Sequence, residues 1–142
     1  MNKNRKFKMN IDYKPLPVNE RDEIFRNGIF LFNISRIMEH INKGDLDVEE
    51  EQIDINEWFK THWHTSVNED HLPTVDITQP TLQAEISPNI HVIIDGNHRI
   101  EKAFRDGVSC IHSYKMSGEQ LVAYLKDVRG YEAYIKYWNS KL

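Results

Sequence analysis

The apolar positions of this chain fall in short blocks, and their spacing switches between a period near two and a period near four. Ile29 to Ile34, led in by Gly28, reads as a strand. Ser35 is placed to cap a helix bearing Ile37, Met38 and Ile41 and ending at Gly44. Ile53-Asp54-Ile55 alternates as a short strand, and Asn56 is the expected cap of a helix carrying Trp58, Phe59 and Trp63. Residues 82–86 and 91–94 form an expected hairpin about Ser87-Pro88-Asn89. Ile100, Ala103 and Phe104 mark one face of a following helix that stops at Gly107, and residues 108–114 form one more strand. Ser117 and Gln120 match a capping box that starts a helix through Leu121, Val122, Tyr124 and Leu125, with Gly130 as its break. Tyr131, Tyr134, Ile135 and Trp138 then line one face of a terminal helix. Strands and helices in this order predict an α+β fold, a small mixed sheet flanked by helices.

Length and composition narrow the class. The 142 residues are 39% hydrophobic and 28% charged, which suits one globular domain spanning 1–142. Residues 1–10, with Lys3, Arg5, Lys6 and Lys8, are expected to be a flexible, solvated tail. Lys14-Pro15-Leu16-Pro17 reads as an extended surface crossing. The longest apolar runs fall far short of a membrane span. The single cysteine, Cys110, rules out an intramolecular disulfide and fits a reducing cytoplasm. A formal charge of −4 disfavours DNA as a partner. The acidic run at 45–52 is expected to be a loop or an edge strand. His62, His64 and His71 match no common zinc spacing and are expected to be surface or packed residues, so no metal ligands are assigned.

Candidate chemistry collects in Asp95-Gly96-Asn97-His98-Arg99, between an apolar strand and a helix. A helix start offers unpaired N–H groups and positive potential to an anion. Gly96 lets the backbone approach a bulky anion, and Arg99 carries a donor fork suited to phosphate oxygens. Asn97 is a cap or a ligand donor. His98 is a phosphate donor or an acid/base. Asp95 is a candidate base, or a holder of Mg²⁺ with substrate phosphates. Glu101 and Lys102 are expected to face solvent. The alternative is that Asp95 caps the helix, Gly96 makes the turn and Arg99 is a surface charge.

This run resembles the phosphate-binding box of the ParB/sulfiredoxin superfamily, through Gly96, Arg99 and Ala103, and the resemblance covers residues 73–126. The alanine stands one position later than in ParB, where Lys102 is found here. Gly96-Asn97-His98-Arg99 is similar to the sulfiredoxin Gly-Cys-His-Arg, with Asn97 in place of the nucleophilic cysteine, which removes sulfinic-acid reductase chemistry. The resemblance implies binding of ATP or CTP with Mg²⁺ through Gly96, Asn97, His98 and Arg99. Asp95 and His98 are then the catalytic candidates, in a phosphotransferase or a nucleotide hydrolase. A second acid would come from Glu39, Glu57 or Asp76, with Asp76 preferred. The alternative is a non-catalytic protein-interaction or regulatory module, of a kind found in phages and mobile elements, using the aromatic C-terminal helix as its interface. A nuclease is disfavoured by the charge and by the lack of an acidic cluster near the box.

Overall fold

The computed structural model describes residues 5–142. It holds six strands and five α-helices in chain order: β1 (Ile24–Asn27), β2 (Phe30–Asn33), α1 (Ile34–Lys43), β3 (Glu49–Asp54), α2 (Ile55–Thr61), β4 (Thr81–Ser87), β5 (Ile90–Asp95), α3 (Asn97–Arg105), β6 (Cys110–Met116), α4 (Gly118–Leu121) and α5 (Val128–Ser140). Strands β1 and β2 form an antiparallel hairpin, and the other four form a mixed sheet in the order β3-β6-β4-β5. The β3/β6 ladder is antiparallel, from Glu49 opposite Lys115 to Asp54 opposite Cys110. The architecture is a small α+β fold with helices flanking a mixed sheet. Among the described residues no helix is long and apolar enough to cross a membrane.

The chain divides into two units, and β4 and β5 contribute residues to both. Unit 1 comprises Met1–Val48, Glu85–His91 and Met116–Leu142; unit 2 comprises Glu49–Ala84 and Val92–Lys115.

Unit 1 is built on an aromatic core. Phe32, Tyr134 and Trp138 are fully buried, and the Tyr134 ring meets Phe30 and Phe32 edge-on at 5.5 Å and 6.0 Å. Such edge-to-face pairs add to the apolar burial of the rings. The terminal helix α5 therefore turns the predicted Tyr131, Tyr134, Ile135 and Trp138 stripe inward. Gly130 does not break a helix as expected. It lies in the first turn of α5, where its N–H is capped by Asp127 Oδ1 at 2.6 Å. The Ser117/Gln120 capping box is present, but its helix lasts only to Leu121 before tightening into a 3-10 turn at Val122–Tyr124. The expected Ser35 cap of α1 is displaced to Asn33, whose Oδ1 accepts from Arg36 N–H. Ser35 Oγ instead accepts from Glu23 N–H at 2.8 Å.

The expected solvated tail is the clearest departure in this unit. Residues 1–4 lie outside the described residues; within 5–10, Arg5, Phe7 and the Asn10 backbone are held by α5 while Lys6 and Lys8 stay exposed. Trp138 Nε1 donates to Arg5 O at 2.9 Å, and the Phe7 ring stacks on Trp138 at 4.5 Å. Asn10 N–H donates to the Tyr131 hydroxyl at 2.9 Å. A basic tail predicts solvation only when nothing acidic and aromatic is folded beneath it.

Unit 2 gathers Ile53, Ile55, Ile93, Ile100, Ala103 and Ile111 into one cluster, with Trp58, Phe59, Ile77 and Val108 against it. The acidic run is a loop over 45–48 and enters the edge strand β3 at Glu49, where charged side chains discourage pairing with a further chain. The cap of α2 is Asp54 rather than Asn56, so the helix begins one residue after the strand ends. Ile77 and Thr78 form a turn held by Asp76, whose Oδ1 accepts from Thr78 N–H at 2.9 Å. In β4 the alternation of Leu82, Ala84 and Ile86 underestimates burial, since Thr81 to Glu85 are all buried. A strand inside a sheet with both faces covered loses the apolar/polar contrast that the alternation rule needs.

Candidate functional site

The Asp95–Arg99 run sits in unit 2 where β5 passes into α3. Gly96 holds the junction at φ 98°, a left-handed conformation that favours glycine. A Cβ at this position would lie 2.8 Å from Thr81 Cγ2 and 3.1 Å from Thr81 Cα. The glycine is therefore required by the close approach of β4, whether or not a ligand is bound.

Each polar side chain of the run has an intramolecular partner. Arg99 Nη1 donates to Pro80 O, and its Nη2 lies 3.6 Å from Asp95 Oδ2. The guanidinium thus ties the start of β4 to the end of β5. Asn97 Nδ2 donates to Ile93 O at 3.2 Å, closing the turn from inside. Asn68 N–H donates to His98 Nε2 at 3.0 Å, which requires that nitrogen to be unprotonated and places the ring proton on Nδ1. The His71 ring approaches His98 edge-on at 5.2 Å. Asp95 does not cap α3, because no side chain does. Among the described residues, Thr81 Oγ1, in a fully buried residue beside Gly96, has no hydrogen-bond partner.

The proposed second acids are held by their own neighbours. Asp76 accepts from Thr78 N–H at 2.9 Å and from the Thr78 hydroxyl, and these bonds hold its carboxyl below the usual range. Glu57 pairs with Lys60 at 2.9 Å, and in unit 1 Glu39 pairs with Arg36 and Lys43. Among the described residues, no group of three or more His, Cys, Asp or Glu is placed to hold a metal ion.

Two features of unit 2 escape the sequence reading. Glu101, expected at the surface, is only 7% exposed. Its carboxylate accepts from His64 Nδ1 at 2.6 Å and from Arg105 Nε at 2.9 Å, while Arg105 grips Glu69 with both of its other nitrogens. Burial pushes the Glu101 carboxyl up, but the His64 and Arg105 bonds outweigh it and hold the group low. The i,i+4 spacing of Glu101 and Arg105 was a usable signal for half of this network. Lys102, also expected to face solvent, donates to Pro73 O and Val75 O and pins the loop before β4. The second feature is aromatic. The rings of Trp58 and His62 stack at 3.6 Å, and those of Phe59 and His64 at 3.7 Å, while Trp63 between them in sequence is 94% exposed. The three histidines are thus ring partners and hydrogen-bonding groups.

No family model, no curated protein and no solved structure matches the chain.

Proposed function

We propose that the chain is a non-catalytic protein-interaction module. The observation that carries this reading is that Asp95, Asn97, His98 and Arg99 all have partners within unit 2: Asp95 and Arg99 each other, Arg99 also the Pro80 carbonyl, Asn97 the Ile93 carbonyl and His98 the Asn68 N–H. An arginine that reads phosphate needs its donor fork open to the ligand. Here Arg99 Nη1 is committed to the Pro80 carbonyl and Nη2 faces Asp95, and a Cβ on Gly96 would meet Thr81. Exposed aromatic rings supply contact surface of the kind protein partners use. Trp63 stands out from unit 2, and Tyr137 is the member of the C-terminal aromatic set that reaches solvent, at 40% exposure.

A second reading keeps a nucleotide or other phosphorylated ligand at Gly96–Arg99, in line with the ParB-like resemblance. One observation favours it, the unpartnered Thr81 hydroxyl beside the helix start. ATP or CTP would then be held by Gly96, Asn97, His98 and Arg99, with Asp95 next to any Mg²⁺ carried by the phosphates. Titration calorimetry with ATP and with CTP, each with and without Mg²⁺, decides between the two. The module reading expects no binding heat. Saturable nucleotide binding that Arg99→Ala abolishes would overturn it.

A further inference from the structure

The side chains of α5 hold residues 5–13, which run without regular secondary structure from residue 6 to residue 10 and then turn where Tyr13 N–H donates to Asn10 O at 3.1 Å. Asn139 donates from Nδ2 to Phe7 O at 3.0 Å and accepts from Phe7 N–H at 2.9 Å, reading both polar groups of one backbone unit. Trp138 donates to Arg5 O, packs its ring under the Arg5 guanidinium at 4.8 Å and stacks on Phe7. The Tyr131 hydroxyl accepts from Asn10 N–H, and its ring stacks on Tyr13 at 3.7 Å.

The charged end of this contact is a built pocket. Glu85 is 3% exposed, and its carboxylate already accepts from Gly118 N–H at 3.0 Å and Asn89 N–H at 2.6 Å. Onto it Arg5 places Nη1 at 2.8 Å and Nη2 at 2.6 Å, with Nε at 2.9 Å from Glu119. Two parallel bonds to one carboxylate select the planar fork of arginine over the point charge of lysine. The pocket floor is fixed: a Cβ on Gly118 would fall 2.3 Å from the Trp138 ring. Beside the docked segment an open cavity of about 210 Å³ is lined by Phe7, Glu119, Val122, Tyr131 and Ile135, among others.

From these contacts we infer that the α5 face of unit 1 is a binding site for a peptide segment with arginine two residues before an aromatic residue, and that Arg5–Lys6–Phe7 is its resident occupant in cis. The partner is a protein segment of that pattern, which displaces the chain's own arm. The argument for this occupant is the seated arm itself, with charge complementarity at Glu85 and Glu119. Lys14-Pro15-Leu16-Pro17 follows the arm and is the stretch that would swing. The inference deepens the module reading and rests on it. The nucleotide titrations test that reading separately, so a failed peptide experiment with no nucleotide heat overturns this inference alone.

The test uses the full chain carrying Arg5→Ala and Phe7→Ala, and a fluorescent peptide of residues 5–13 followed by anisotropy. The folded variant is expected to bind this peptide saturably and at least tenfold more tightly than the wild type does, because the wild-type arm competes. The Arg5→Ala peptide is expected to bind at least tenfold more weakly than the native one. Absence of saturable binding, equal affinity for the two peptides, or equal affinity of variant and wild type would each overturn the inference. If circular dichroism shows the double variant unfolded, a chain with native Arg5 and Phe7 and a protease site inserted after Leu16, cleaved at that site, replaces it. Exchange of the cut arm for the labelled peptide, with the same preference for arginine, is then the expected result, and no exchange overturns it.

Discussion

Each unit buries one glutamate against arginine, and the two pairs are made in opposite ways. In unit 2, Glu101 meets Arg105 one helical turn away, so the partner is present as soon as α3 forms. In unit 1, Glu85 meets Arg5 across 80 positions, so the partner arrives only when the N-terminal arm docks. The Glu101 pair also shares its arginine and histidine with water, whereas Glu85 lies deep and takes two backbone N–H groups as well. A carboxylate with a local partner stabilises a helix. One whose cation lies 80 positions away fixes where that distant segment folds back onto the protein.

Removing each glutamate sharpens the contrast. Glu85→Ala strands Arg5 with only Glu119 and leaves the Gly118 and Asn89 N–H groups without an acceptor, and is expected to cost about 3 kcal/mol in a urea denaturation measurement. A cost under about 1 kcal/mol would break the distinction between the two pairs.

Acid is the second probe. Burial pushes the Glu85 carboxyl up, but the Arg5 fork and the two N–H bonds outweigh it and hold it at about 2, below its ordinary 4.5. A pKa lowered by folding gives stability that is complete above the unfolded value and lost as pH falls through the folded one. Roughly 2–3 kcal/mol should therefore disappear between about pH 4.5 and pH 2, measured by urea denaturation across that range. Arg5→Ala should flatten that slope, and an unchanged slope would remove the arm from the account.

The smallest effect is expected at the local pair. Glu101→Gln leaves Arg105 its two bonds to Glu69 and keeps an amide oxygen for His64, so the expected cost is about 1 kcal/mol by the same measurement. A loss equal to that of Glu85→Ala would show that sequence distance does not separate the pairs.

The sequence by itself determined most of the local structure. The hairpin of β4 and β5, the Gly107 stop after α3, the Ser117/Gln120 box and the buried stripe of α5 follow from periodicity and capping chemistry, which act within a few residues. Its errors at Ser35 and Asn56 are shifts of one cap to a neighbouring side chain that reaches the N–H better. The Asp95–Arg99 run was also legible as a polar strand-to-helix turn with a left-handed glycine.

What that turn does was decided by tertiary structure. The carbonyl that holds Arg99 belongs to Pro80, the backbone N–H that reaches His98 belongs to Asn68, and the atoms that forbid a Cβ on Gly96 belong to Thr81. None of these lies in the motif. The docking of the arm was decided the same way, because the carboxylate and indole that bind Arg5 come from β4 and α5. Local rules fix which residues are polar and where the chain turns. Whether a polar group faces a ligand or the protein's own backbone depends on which distant segment folds against it, and no short-range pattern carries that information.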